Sequence, residues 1–211
     1  SEACYAEARE VVGREMTVDA VMAEVVKDIP IYDESGGGVT FSGGEALMQR
    51  DFLTGLLAEC KRRGIHTALD TSGYAPWAAL ESVRGLVDLF LYDLKAVDDR
   101  LHRQVTGVSN GLALANVRKL SELGHAIILR MPLVPGLNDS PAGIRAAAQL
   151  AASLPGVQRM DVLPYHRAGA EKYRRLQRPY GLAELQPPSD EQVEQAAEIL
   201  RESGIPIQIG G

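Results

Sequence analysis

Gly36-Gly37-Gly38-Val39-Thr40-Phe41-Ser42-Gly43-Gly44-Glu45 reads as a glycine turn, a short β-branched and aromatic run, and a second glycine turn that delivers a carboxylate. The pattern predicts a buried strand over Val39 to Ser42. Upstream, Val18, Val21, Met22, Val25 and Val26 fall at i, i+3, i+4, i+7 and i+8 behind a capping Thr17, which predicts an amphipathic helix over 17–28. Downstream, Phe52, Leu53, Leu56, Leu57 and Cys60 share one face of a segment from Asp51 to Arg63, with Gly64 just past its end. A strand between two amphipathic helices is the unit of a β/α alternation.

The alternation repeats to the end of the chain. Strands are expected at Thr67 to Leu69, Leu89 to Leu91, Ala126 to Leu129, Met160 to Leu163 and Ile205 to Ile209. Helices between them start at Pro76, behind Ser109, at Pro141 behind Asp139 or Ser140, and behind Ser189, whose spacing to Gln192 is that of a capping box. Strands separated by helical segments of this length predict a parallel sheet with right-handed crossovers. A closed or partial β/α barrel fits best, with a doubly wound sheet second. The segment from Arg167 to Pro187 is long and irregular.

The 211 residues suffice for one domain, which at this size buries roughly 70% of the surface its unfolded chain exposes. A net charge of −6 argues against a binder of the nucleic-acid backbone, which needs a basic face. No apolar run has the length of a membrane span, and nothing at the start reads as an export signal, so a cytoplasmic location is expected. Two cysteines, Cys4 and Cys60, give no disulfide framework and no four-sulfur zinc site. They are also too few for an iron–sulfur cluster, which takes three or four thiolates.

In β/α barrels the active site collects at the carboxyl ends of the strands. Five successive strands here end in Glu45, Asp70, Asp93 with Lys95, Arg130, and His166, spaced 25, 23, 37 and 36 residues apart. Acids and bases around one mouth suit a zwitterionic ligand with an ammonium, a carboxylate and a heterocycle. Gly43 and Gly44 let the backbone approach such a ligand closely, and Glu45 can accept hydrogen bonds from its ammonium. No GxxxxGK[ST] or GxGxxG occurs, which disfavours nucleotide triphosphates, and no GxSxG or HExxH supports a hydrolase. Cys60 is read as core, His66 and His125 as structural residues at strand starts, and His102 as solvated on a helix. Lys172, Arg174, Arg175 and Arg178, interleaved with Tyr173 and following Arg167, read equally as a docking loop or a solvated one.

FSGGEALMQ (41–49), LDTSGY (69–74), LYDLK (91–95), ILRMPLVPGLND (128–139) and LPYH (163–166) resemble, in order and placement, the radical S-adenosylmethionine activases of glycyl radical enzymes. The resemblance implies a partial β/α barrel binding S-adenosylmethionine beside a [4Fe-4S] cluster. In that family the reduced cluster cleaves the sulfonium to a 5′-deoxyadenosyl radical, which takes a hydrogen from a glycine of the partner enzyme. Carried over by position, Gly43, Gly44 and Glu45 would hold the amino group. Arg130 and Lys95 would serve the carboxylate, Asp70 and Ser72 would line the site, and His166 would meet the adenosyl part. Asp70, Thr71 and Asp93 would hold a monovalent cation. A flavodoxin or ferredoxin would supply the electron.

The family's CxxxCxxC is absent from the sequence. Residues 1–16 resemble the tail of a ferredoxin-like insert, with Cys4 a remnant accessory-cluster ligand, and 17–211 form the barrel without its first strand. The expectation is a chain that binds the cofactor but does not cleave it, the cluster region lying in a longer parent. The rival is a cluster-free binding protein on the same fold. An unrelated aldolase-like barrel would need a Schiff-base lysine or a metal triad; Lys95 is the only candidate, and its neighbours fit the activase pattern better. Without a first strand, Val39 to Ser42 has an unpaired edge, so self-association is expected.

Overall fold

The computed structural model describes residues 14–167 and 185–210. The expected remnant ligand Cys4 and the basic positions Lys172, Arg174, Arg175 and Arg178 lie outside them, as does most of the expected insert remnant over 1–16.

Six strands form one parallel sheet in sequence order: β1 (Gly38–Phe41), β2 (His66–Thr71), β3 (Leu89–Asp93), β4 (Ile127–Leu133), β5 (Val157–Pro164) and β6 (Ile207–Ile209). Each strand pairs with the next, and β1 and β6 do not meet, so the barrel is open. The described helices are α1 (Val18–Val25), α2 (Ile29–Ser35), α3 (Arg50–Arg62), α4 (Trp77–Val83), α5 (Asp99–Thr106), α6 (Gly111–Glu122), α7 (Pro141–Ala152) and α8 (Asp190–Arg201).

The two-residue period of a strand separates the faces of the sheet. On one face, Leu69 pairs with Phe90 and Phe90 with Ile127; one step on, Tyr92 pairs with Leu129 and Leu129 with Met160. All six are fully buried, and the Tyr92 hydroxyl donates to the Ala113 carbonyl on α6, so this is the helix-covered face. Residues one position along, among them Asp70, Asp93 and Arg130, therefore point to the opposite face, that of the barrel interior.

The structure corrects several boundaries. The first helix stops at Val25 and continues through a 3₁₀ turn into α2, with Pro30 in its first turn, where a missing N–H costs nothing. Strand β4 runs three residues beyond Arg130, which sits mid-strand rather than closing it. Pro76 is the cap of α4, not its first residue, and Asn110 rather than Ser109 occupies the cap position of α6. His102 is buried, not solvated: its Nδ1 lies 2.8 Å from the Val108 carbonyl and 3.0 Å from Thr106 Oγ1, closing the end of α5.

Candidate functional site

The site begins where β1 ends. Ser42 donates its hydroxyl to Asp70 Oδ2 at 3.0 Å, tying the glycine turn to β2. Gly43 has φ +153, and a Cβ built at Gly43 or Gly44 would meet no atom within 4 Å. This is bare backbone facing open space, a cradle that side chains would fill.

Glu45 follows and caps a short 3₁₀ turn over Ala46–Gln49. Its Oε1 accepts from Thr71 Oγ1 at 2.8 Å and from the Leu47 N–H at 3.3 Å. Its Oε2 accepts from Ser72 Oγ at 2.6 Å and from the Ser72 N–H at 3.0 Å. These four donors occupy the roughly four lone-pair directions of a carboxylate. No cationic side chain among the described residues pairs with Glu45, whereas Asp70, Asp93 and Asp161 each have one. Among the described residues its charge is balanced by hydrogen-bond donors alone.

The loop that feeds Glu45 is held from behind. Gly73 donates its N–H to Thr71 Oγ1, and Asn116 on α6 donates to the carbonyls of both Gly73 and Ala75 at 2.8 Å. Gly73 has φ +66, and a Cβ there would overlap the Tyr92 hydroxyl. Asn116 was not singled out in the sequence, although a polar residue within the buried stripe Ala113, Val117 and Leu120 is the signal that marks it. Burial raises the Tyr92 phenol well above its ordinary range, so it stays protonated and keeps its bond to Ala113.

Along the inner face, Arg130 Nη1 lies 2.9 Å from Asp70 Oδ1, and Lys95 Nζ lies 2.7 Å from Asp93 Oδ2. Asn138 fixes the strand ends around them: its Nδ2 donates to the Lys95 and Pro132 carbonyls, and its Oδ1 accepts from the Val134 N–H. The structure therefore brings Gly43, Gly44, Glu45, Thr71 and Ser72 into one cradle, with Asp70, Arg130, Asp93 and Lys95 on the adjoining face. His166 lies two residues beyond β5, on an exposed stretch anchored by the Tyr165 N–H to the Leu133 carbonyl. Asp70, Thr71 and Asp93 are each engaged within the chain, and no group of three or more His, Cys, Asp or Glu residues is placed to hold a metal among the described residues. Cys60 is fully buried on α3, its thiol 3.8 Å from Met22 Sδ and its pKa pushed up by burial. The described residues fit an amino-acid-like cofactor and do not fit an iron–sulfur cluster. Sequence reasoning also missed Asp161, 2% exposed on β5, and its partner Arg159.

Residues 3–145 match the model of the Radical SAM superfamily. The chain belongs to that superfamily. It is 43% identical over 206 residues to the trans-4-hydroxy-L-proline dehydratase activating enzyme of Clostridioides difficile, covering 97% of this chain and 68% of that protein. It is 36% identical over 203 residues to the pyruvate formate-lyase-activating enzyme of Staphylococcus epidermidis, covering 93% of this chain and 81% of that protein. A crystal structure of a domain of pyruvate-formate lyase-activating enzyme from Bacteroides vulgatus aligns with a TM-score of 0.70 at 35% identity, over 83% of this chain and 99% of that one. The relatives are thus activating enzymes of glycyl radical enzymes, and the radical SAM fold is the open barrel described above. The chain spans 60–68% of the length of the first five curated relatives it matches. No helix among the described residues is long and apolar enough to cross a membrane.

Proposed function

We propose that this chain is the S-adenosylmethionine-binding part of an activating enzyme for a glycyl radical enzyme. The observation that carries the reading is the Glu45 cradle: a carboxylate with no cationic partner among the described residues, beside a glycine turn whose backbone faces open space. Glu45 binds the ammonium of the ligand as the Ser72 or Thr71 hydroxyl turns aside, and the Gly43–Gly44 backbone lies along the methionyl chain. Arg130 and Lys95 present fixed positive charge to its carboxylate. Asp70 holds Arg130 in place from one side, as Asp93 does Lys95, and both acids with Thr71 are oxygen donors for a monovalent cation. His166 serves the adenosyl portion.

When bound in a complete enzyme, S-adenosylmethionine with a reduced [4Fe-4S] cluster supplies the hydrogen-abstracting chemistry. The residues here bind and orient the cofactor and do not ligate the cluster, so this chain binds it without cleaving it. We further assign residues 1–16 to the tail of a ferredoxin-like insert and 17–211 to the barrel, with a glycyl radical enzyme as protein substrate, a flavodoxin or ferredoxin as electron donor, and the cytoplasm as location. The test compares this chain with its longer parent after reconstitution with iron and sulfide under reductant. The parent forms 5′-deoxyadenosine and this chain does not. Absence of product from a cluster-loaded parent overturns the activase reading and favours a binding protein.

A further inference from the structure

Arg130 stands between two carboxylates at its own level. The register pairs it with Asp93 on β3 and with Asp161 on β5, and paired residues of adjacent strands project from the same face. It bonds to neither. Its guanidinium reaches past β3 to Asp70 on β2, 2.9 Å away.

The two nearer acids share one property: each is already taken by a base two residues along its own chain. Lys95 Nζ lies 2.7 Å from Asp93 Oδ2. Arg159 grips Asp161 through two bonds, Nε to Oδ1 at 2.7 Å and Nη2 to Oδ2 at 3.2 Å. Residues i and i+2 of a strand share a face, so Arg159 is placed by β5 itself, without help from a loop. Asp161 is the stronger competitor, because at 2% exposure its charge has almost no water to compensate it. A two-bond guanidinium–carboxylate pair is the firmest way to satisfy it.

We propose that Arg159 is a positioning residue for the cofactor site. By saturating Asp161 it prevents that buried carboxylate from capturing Arg130, and so keeps the Arg130 guanidinium on the β2 side of the face, beside Asp70, Ser42 and the Glu45 cradle. The inference rests on the proposed cofactor reading, in which Arg130 meets the ligand carboxylate. Arg159 itself touches no residue of that cradle. Its effect passes through Asp161.

The test is S-adenosylmethionine binding to this chain by calorimetry, together with crystal structures of the variants. Arg159→Gln weakens binding by about tenfold or more, the scale of a misplaced orienting group, and its structure shows Arg130 turned from Asp70 to Asp161. Arg159→Gln/Asp161→Asn removes both competitor and guard, and restores binding to near the wild-type value. Arg159→Lys keeps the charge without the fork and gives an intermediate loss. The idea is overturned if Arg159→Gln binds as wild type, or if the double variant stays as weak as the single one. If Arg159→Gln does not fold, wild-type binding by Arg159→Lys overturns it equally. A wild-type chain without saturable binding defeats the cofactor reading alone; the Arg130 position in the variant structures then still decides the positioning claim.

Discussion

Glu45 and Gly73 illustrate two kinds of residue, one legible in the sequence and one not. A carboxylate after a glycine pair at a strand end is a recognisable signal, as are Asp70, Lys95 and Arg130. Gly73 gains its role only from Tyr92 and Asn116, which lie 19 and 43 positions away and become its neighbours through the β2–β3 and α6 packing. We expect Gly73→Ala to destabilise the chain by clearly more than about 1 kcal/mol, since it combines a left-handed backbone with overlap. Gly64→Ala, with φ +71 and nothing near its Cβ, costs only the backbone part. Thermal melts of the two variants make the comparison; equal losses would show that the Tyr92 contact does not matter. His125 offers a pH test. Its ring packs edge-on against Phe90, and its Nε2 lies 3.4 Å from Arg84 Nη1. Burial, with help from the Arg84 charge, lowers its pKa below the ordinary 6.5. The unfolded chain therefore takes up the proton first, so stability is lost as pH falls below about 6.5 and is untouched above it. Melting temperatures between pH 7.5 and 5.5 should fall more steeply for the wild type than for His125→Gln; parallel slopes would contradict this.

At the scale of elements, period and punctuation carried most of the reading. Every expected strand exists, because buried parallel strands are short apolar runs bounded by turn residues. Their ends were harder to place. A strand that continues through Arg130 has a charged side chain inside it, which in a sequence looks like the close of an apolar run; only the pairing of Arg130 with Asp93 and Asp161 shows that it belongs to the ladder. The expected helix over 17–28 does not include α2, which opens just past it with Pro30 in its first turn. Strand β1 has a physical consequence of its own. It pairs with β2 on one side, and among the described strands none pairs with its other edge. An open edge with exposed Thr40 is a template for another chain. We expect concentration-dependent self-association of this chain in sedimentation equilibrium, relieved by Thr40→Lys, which places a charge on that edge. A clean monomer at high concentration would mean that the edge is covered.

For the whole molecule, the division of labour follows from the sheet. One face is sealed by helices over the Leu69–Phe90–Ile127 and Tyr92–Leu129–Met160 rows. The other face carries three neutralised ion pairs and one carboxylate held only by hydrogen bonds. Apart from the buried Asp161 these side chains are partly exposed, and such pairs add little to stability. The arrangement is suited to recognising a zwitterion. In the proposed reading that zwitterion is S-adenosylmethionine, and its recognition rests on Glu45. The measurement that tests this most directly is calorimetric titration of this chain with S-adenosylmethionine, wild type against Glu45→Gln, with both shown folded by their melting curves. The account predicts saturable one-to-one binding by the wild type and a loss of about tenfold or more in the variant, as expected when a charge-assisted bond to an ammonium is removed. Saturable binding that Glu45→Gln leaves unchanged would contradict it.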